Sequence, residues 1–161
     1  MSRTDERYSR QKDIVPSDRI AGCKATVIGV GAIGRQIALQ LTAMGIPWLQ
    51  LIDVDVVETS NLASQGYLEE DLGMLKVEAT ATQCRRINSG IEIVSVAERF
   101  RRSMEIGNAV FDCVDKIDVV ALDTVAVVFD RNSHDGLIRC AREFDIDVPQ
   151  SVFAGQHRRA V

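Results

Sequence analysis

The sequence predicts an α/β protein with a doubly wound, Rossmann-like, mostly parallel sheet and helices on both faces. Two observations carry that prediction. Short β-rich apolar runs alternate with stretches of helical periodicity, the pattern of strands joined by crossover helices. The first run also passes into a glycine turn, Gly29-Val30-Gly31-Ala32-Ile33-Gly34, and then into a helical stretch. That order presents a helix N-terminus to phosphate.

Residues 1–22 are charged and polar and read as an N-terminal arm or short helix ahead of a domain spanning 23–161. ATVIGV (25–30) is apolar without alternation, as in a strand buried on both faces. From Gly34 the apolar positions Ile37, Ala38, Leu41 and Met44 fall at helical spacing, and Gly45 with Pro47 stops the helix. WLQLID (48–53) is a second strand. A polar segment follows, then a helix from about Leu75 to Ile87, closed by Asn88-Ser89-Gly90. IEIVSV (91–96) and AVFDCV (109–114) are the third and fourth strands, joined by right-handed connections. The stretch 119–130 is β-rich in composition yet stands where a helix is expected, and the sequence leaves it open. Residues 135–146 read as a helix and 147–153 as a closing strand.

Composition narrows the function classes. With 161 residues, 46% apolar and 26% charged, the chain has the proportions of one soluble globular domain. A net charge of -4 gives no reason to expect nucleic acid or an anionic membrane as partner. The clustered arginines at 85–86, 99, 101–102 and 158–159 read as solvated helix faces, with a local anion site as the lesser reading. No apolar run reaches the ~20 residues needed to cross a bilayer, and the polar start lacks the apolar centre of a secretion signal. Cys23, Cys84, Cys113 and Cys140 form no Cys-x-x-Cys pair, so no zinc site is expected, and reduced thiols in a cytoplasmic protein are. Cys113 lies in an apolar strand and reads as an inert core thiol, since a reactive thiolate needs an exposed, electropositive setting.

Within the glycine turn, the first glycine allows the tight bend, the second lets phosphate approach the backbone, and the third lets helix and strand pack closely. Asp53 ends the second strand about 20 residues on, where a carboxylate can accept hydrogen bonds from ribose hydroxyls. To this point NAD and ATP fit equally well.

Residues 53–79 separate them. A dehydrogenase needs one acidic residue here; this chain has Asp53 and Asp55, then Ser60-Asn61-Leu62, Gln65, Gly73 and Lys76. Earlier it carries Arg7-Tyr8-Ser9-Arg10-Gln11, and later Asp112-Cys113-Val114-Asp115. In these motifs, in this order over residues 7 to 116, the chain resembles the ThiF/MoeB family, which shares its adenylation domain with the ubiquitin-activating enzymes. That family shows D-x-D, S-N-L-x-R-Q, G-x-x-K, R-Y-S-R-Q and D-C-x-D.

The resemblance implies ATP and Mg²⁺ as cofactors. It implies adenylation of the C-terminal glycine of a small ubiquitin-like or sulfur-carrier protein with a Gly-Gly tail, releasing pyrophosphate. Gly29, Gly31, Ala32, Gly34, Asp53, Asp55, Ser60, Asn61 and Lys76 would contact the nucleotide, Asp53 at the ribose. Arg10, Lys76 and Asp115 would be catalytic, with Asp115 holding Mg²⁺ and Gln65 supporting. In the family Arg10 reaches across an interface to a partner's ATP, which implies a homodimer. The chemistry agrees, because nucleotidyl transfer needs positioning and charge neutralisation more than covalent help. Blander roles exist for each: an exposed helix lysine for Lys76, a strand-end cap for Asp115, a turn stabiliser for Asn61, a structural carboxylate for Asp55, and a surface arginine in a mobile arm for Arg10.

The pattern departs from the family in four places. Ser64 replaces the arginine of S-N-L-x-R-Q, removing a charge-assisted phosphate contact worth about 1.5–3 kcal/mol. Lys116 stands where the family has asparagine and is a candidate replacement cation. Val120 stands about where a further arginine is usual. Relative to the family the C-terminal part is incomplete, without the crossover loop, its thioester-forming cysteine or the zinc-binding pairs. Ala32 for a glycine is mild. The expectation is therefore an adenylation half-site without thioester transfer. Two alternatives stay open: a non-catalytic nucleotide-binding scaffold or partner subunit of the same fold, and a plain NAD-binding module.

Overall fold

The structure is a computed structural model that describes residues 6–11, 13–15 and 17–114, together with the backbone of a strand at 125–128. In chain order the elements are α1 (Ser17–Ala21), β1 (Lys24–Ile28), α2 (Ala32–Met44), β2 (Trp48–Ile52), α3 (Thr59–Gln65), a single 3₁₀ turn (Glu69–Asp71), α4 (Lys76–Ile87), β3 (Glu92–Val96), β4 (Ala109–Asp112) and β5 (Val125–Val128). All strand pairings are parallel, in the order β3-β2-β1-β4-β5. The parallel, Rossmann-like architecture stands as expected.

The first, second and fourth strands end before their apolar runs because the last residues of those runs leave the ladder to form the turns above the sheet. Ile28, for instance, is the last of β1, and Gly29 and Val30 already belong to the turn. Helix α2 starts at Ala32, two residues before the predicted Gly34, and ends at Gly45 in the left-handed region, φ 95°. The polar segment after β2 holds α3 and the 3₁₀ turn, neither of which its sequence announced; both are short and mostly exposed, so neither shows an apolar stripe. The ambiguous stretch 119–130 contains strand β5. The predicted helix at 135–146 and strand at 147–153 lie outside the described residues.

One core lies between the sheet and helices α2 and α4. Ala25, Val27, Leu49 and Leu51 from the strands meet Ala38, Val77, Ala81 and Cys84 from the helices, all without exposure to solvent. On the opposite face Ile28, Ile52 and Val110 pack under Phe100, Met104 and Ile106. Among the described residues that face is covered by the irregular connection between β3 and β4 and not by a helix. Buried polar groups tie the connection down: the Gly107 N–H donates to Thr26 Oγ1 at 2.8 Å, the Gln50 amide to the Glu105 carbonyl at 3.2 Å, and Thr26 Oγ1 to Gln50 Oε1 at 2.8 Å.

The chain runs outward from β1 through β2 to β3, then crosses back to place β4 on the other side of β1. In such sheets the crevice above the carboxyl ends of the strands, where the order reverses, is the ligand position. Here it lies over the β1 and β4 exits, which is where the glycine turn sits.

Candidate functional site

Gly29 adopts φ +83°, and a Cβ there would meet Val114 Cγ1 at 2.8 Å and the Cys113 carbonyl group at 3.1 Å. A Cβ on Gly34 would overlap the Gly29 carbonyl, so the third glycine is demanded by the approach of helix to turn. Gly31 differs: its nearest neighbour would be the Gln65 amide at 3.9 Å. The protein itself leaves room there. No side chain caps α2, and the N–H groups of Gly31, Ala32 and Ile33 have no acceptor among the described residues. Free N–H groups at the positive end of a helix dipole are the kind of arrangement that suits an anion.

The turn is clamped at Val30. The Val30 N–H donates to Asp53 Oδ2 at 2.6 Å, and its carbonyl accepts from the Tyr67 hydroxyl at 2.6 Å. The other Asp53 oxygen accepts from the Asp55 N–H at 2.9 Å. Asp55 in turn holds Lys76: Nζ to Oδ2 is 3.0 Å, and the Lys76 N–H donates to the Asp55 carbonyl at 2.9 Å. Lys76 is the first residue of α4 and only 8% of its side chain is exposed, against 61% for Asp55. The bland reading of an exposed helix lysine is thus corrected. An ammonium stands buried at the dipole-positive end of a helix, with one solvent-facing carboxylate as its partner.

The Asn61 Oδ1 accepts from the Glu58 N–H at 3.0 Å, bracing the first turn of α3, and its amide nitrogen lies 3.4 Å from Ser60 Oγ. Ser60 and Ser64 are exposed on the same short helix, and Ser64 donates to the Ser60 carbonyl at 2.7 Å. Arg10 lies elsewhere. The arm docks at the far end of α2, where Tyr8 packs on Gly45 and the Gln11 amide donates to the Met44 carbonyl at 2.7 Å. A helix of 13 residues spans about 20 Å, so this chain's Arg10 is not brought to its own glycine turn. Asp115, Lys116 and Val120 lie outside the described residues.

Two participants were missed in the sequence, Tyr67 and Arg35. Tyr67 is 4% exposed, and the Arg35 guanidinium stacks on its ring at 5.0 Å from the centroid. Burial raises the Tyr67 phenol to about 12. The available signal was an arginine directly after the third glycine, a position inside the helix–strand contact. Cys113 fits its inert reading: burial, aided by Asp112, pushes its thiol up to about 12. Arg85 and Arg86 lie on α4, whereas Arg99, Arg101 and Arg102 stand on the irregular β3–β4 connection and not on a helix; Arg86 and Arg101 pair on the surface with Glu70 and Glu98. Among the described residues no helix is long and apolar enough to cross a membrane.

The ThiF family model matches residues 8–133. The chain belongs to the ThiF family. A curated relative, the adenylyltransferase and sulfurtransferase MOCS3 of Bos taurus, is 38% identical over 122 residues, covering 71% of this chain and 26% of the relative. The adenylyltransferase and sulfurtransferase UBA4 of Saccharomyces cerevisiae is 30% identical, covering 68% of this chain and 28% of its own length. The chain thus spans about a quarter of the curated relatives it matches. Among solved structures, E. coli MccB with ATP matches at TM-score 0.63 and 25% identity, over 68% of this chain and 37% of that one. E. coli TcdA in complex with ATP matches at TM-score 0.65 and 24% identity, over 72% and 52%, a likeness of fold.

Proposed function

We propose that this chain carries the ATP-binding adenylation site of a ThiF-type adenylyltransferase. It would activate the C-terminal glycine of a ubiquitin-like or sulfur-carrier protein. The observation that supports this best is the hydrogen-bonded path from Val30 through Asp53 and Asp55 to Lys76, which joins an open phosphate-receiving turn to a buried cation. The similar E. coli MccB, solved with ATP, supports the choice of nucleotide.

In this reading the N–H groups of Gly31 and Ala32 receive phosphate oxygens. Asp53 keeps the turn in place and accepts from the ribose with its remaining lone pairs. Asp55 is the resting partner of Lys76, and the ammonium turns to the phosphates when they arrive. Asn61 and Ser60 line the polar edge at the start of α3. Mg²⁺, held at Asp115, would neutralise charge on the phosphates. The tail carboxylate attacks the α-phosphorus, forming the acyl–phosphate bond as the bond to pyrophosphate breaks. Arg10 serves a partner's site in a cytoplasmic homodimer, a role that suits its distance from its own.

The test is pyrophosphate exchange with Mg-ATP and a Gly-Gly-tailed carrier. Wild type exchanges label only with carrier and Mg²⁺ present, and Lys76→Ala and Asp115→Ala each lose on the order of a hundredfold. ATP binding without exchange, across carriers, would sink the enzymatic reading. A second reading, a nucleotide-binding scaffold for another chain, is favoured by one observation: Ser64, at the family's arginine position, spends its hydroxyl on Ser60. It predicts stoichiometric capture of a partner without turnover.

A further inference from the structure

We propose that Tyr67 is a positioning residue for the phosphate-receiving turn, held to that task by Arg35; this rests on the nucleotide reading above. The Val30 peptide units are fixed from two sides, and each side has a different owner. Asp53 takes the N–H and Tyr67 takes the carbonyl, both at 2.6 Å. Val30 stands directly between the first and second glycines, and its carbonyl belongs to the same peptide unit as the Gly31 N–H. Turning that unit about the chain axis would swing the N–H away from the anion position. The hydroxyl of Tyr67 prevents it.

Tyr67 is itself held in place. Its single proton goes to Val30, so the neighbouring hydroxyl of Thr80, at 3.3 Å and fully buried, acts as donor to the phenol oxygen. The Arg35 guanidinium lies over the ring. Arg35 is 5% exposed and, among the described residues, has no carboxylate in contact: it donates to the Gln83 side-chain oxygen and, at 3.5 Å, to the Gln65 carbonyl. The Gln83 amide passes the connection on to Asp71 at 3.1 Å. Arg35 Nε is buried and has no hydrogen-bond partner among the described residues. A guanidinium kept on neutral oxygens and a ring face in the first turns of α2 retains its positive field beside the turn. Anion binding at Gly31 would meet a favourable potential as well as a fixed peptide unit.

Tyr67→Phe removes one oxygen and keeps the ring and its stacking. The experiment is calorimetry of wild type and this variant with Mg-ATP and with adenosine, beside thermal melts. One neutral hydrogen bond corresponds to roughly a three- to tenfold change, so ATP should bind that much more weakly to Tyr67→Phe while adenosine, which lacks phosphate, binds unchanged. Equal ATP affinity in the two proteins overturns the inference, as does an equal loss for ATP and adenosine, which a merely structural role would give. Should Tyr67→Phe fail to fold, Arg35→Gln is read by the same two ligands, with the same phosphate-dependent loss expected. If wild type takes up no ATP, the nucleotide reading falls and takes this inference with it. If wild type binds ATP and neither variant discriminates, only the inference falls.

Discussion

Gly31 and Gly34 sit three residues apart in one turn, and physics separates their purposes. A methyl group on Gly34 has nowhere to go, because the Gly29 carbonyl occupies its place. Gly34→Ala should cost about 3 kcal/mol or more in urea unfolding. A methyl group on Gly31 meets nothing closer than 3.9 Å at a negative φ. Gly31→Ala should therefore fold within about 0.5 kcal/mol of wild type and yet lose ATP binding in calorimetry, since the methyl stands where phosphate approaches. Alkaline stability is a second residue-scale outcome. Tyr67 and Cys113 both hold their protons to about 12 in the fold, against ordinary values of 10.0 and 9.0. At these two groups the folded state then binds more protons than the unfolded chain, so their contribution to stability is fully present below pH 9 and falls as pH rises from there through 12. Urea midpoints at a series of pH values should show that decline, and Cys113→Ala should flatten its first part. At this scale the sequence was informative where chemistry is explicit. The spacing from the glycines to Asp53 and the lysine after Gly73 could be read directly. Tyr67 could not, because a lone aromatic in a polar segment has no period, and its function depends on a fold-back that only the tertiary structure supplies.

At the scale of elements, the strands and the two long helices followed from apolar runs and helical spacing, while α3 did not. It is braced by Asn61 on Glu58 and ended by the left-handed Gly66, it has no fully buried residue, and its Leu62 packs half-buried against Val57, Tyr67 and Ala79. A short element with one half-buried apolar residue shows no hydrophobic period. Asn61→Ala should cost about 1 kcal/mol, seen first as faster hydrogen exchange across α3 and only weakly in global unfolding. The face covered by the β3–β4 connection was equally unreadable. Thr26 and Gln50 look like flaws in apolar strands until their partners at Gly107 and Glu105 are known. The arm is read by its composition but placed by contacts, Tyr8 on Gly45 and Gln11 on Met44.

At the scale of the whole molecule, the arm and the glycine turn lie at opposite ends of α2, which gives the homodimer proposal a sharp consequence. If Arg10 acts on a partner's nucleotide, Arg10→Ala and Lys76→Ala proteins should each be inactive alone and regain exchange on mixing and re-equilibration. With random pairing of a symmetric dimer, roughly a quarter of wild-type activity returns. No recovery, with mixed dimers demonstrated by mass, would rule out action in trans.

The strand order also dictates a sequence of events in time. β1, β2 and β3 are neighbours both in the chain and in the sheet, whereas the second edge of β1 waits for β4, whose partner residues come 84 positions later (Ala25 with Ala109). Pairing of such separation forms slowly. A chain emerging from the ribosome can therefore assemble the three-stranded half with α2 and α4 on it before β4 exists, leaving the Gly29 turn without the wall that Cys113 and Val114 later provide. Pulse-labelled hydrogen exchange during refolding should find amides shared by β1 and β2 protected before those joining β1 to β4. The glycine turn would be completed last, after most of the scaffold beneath it is already closed.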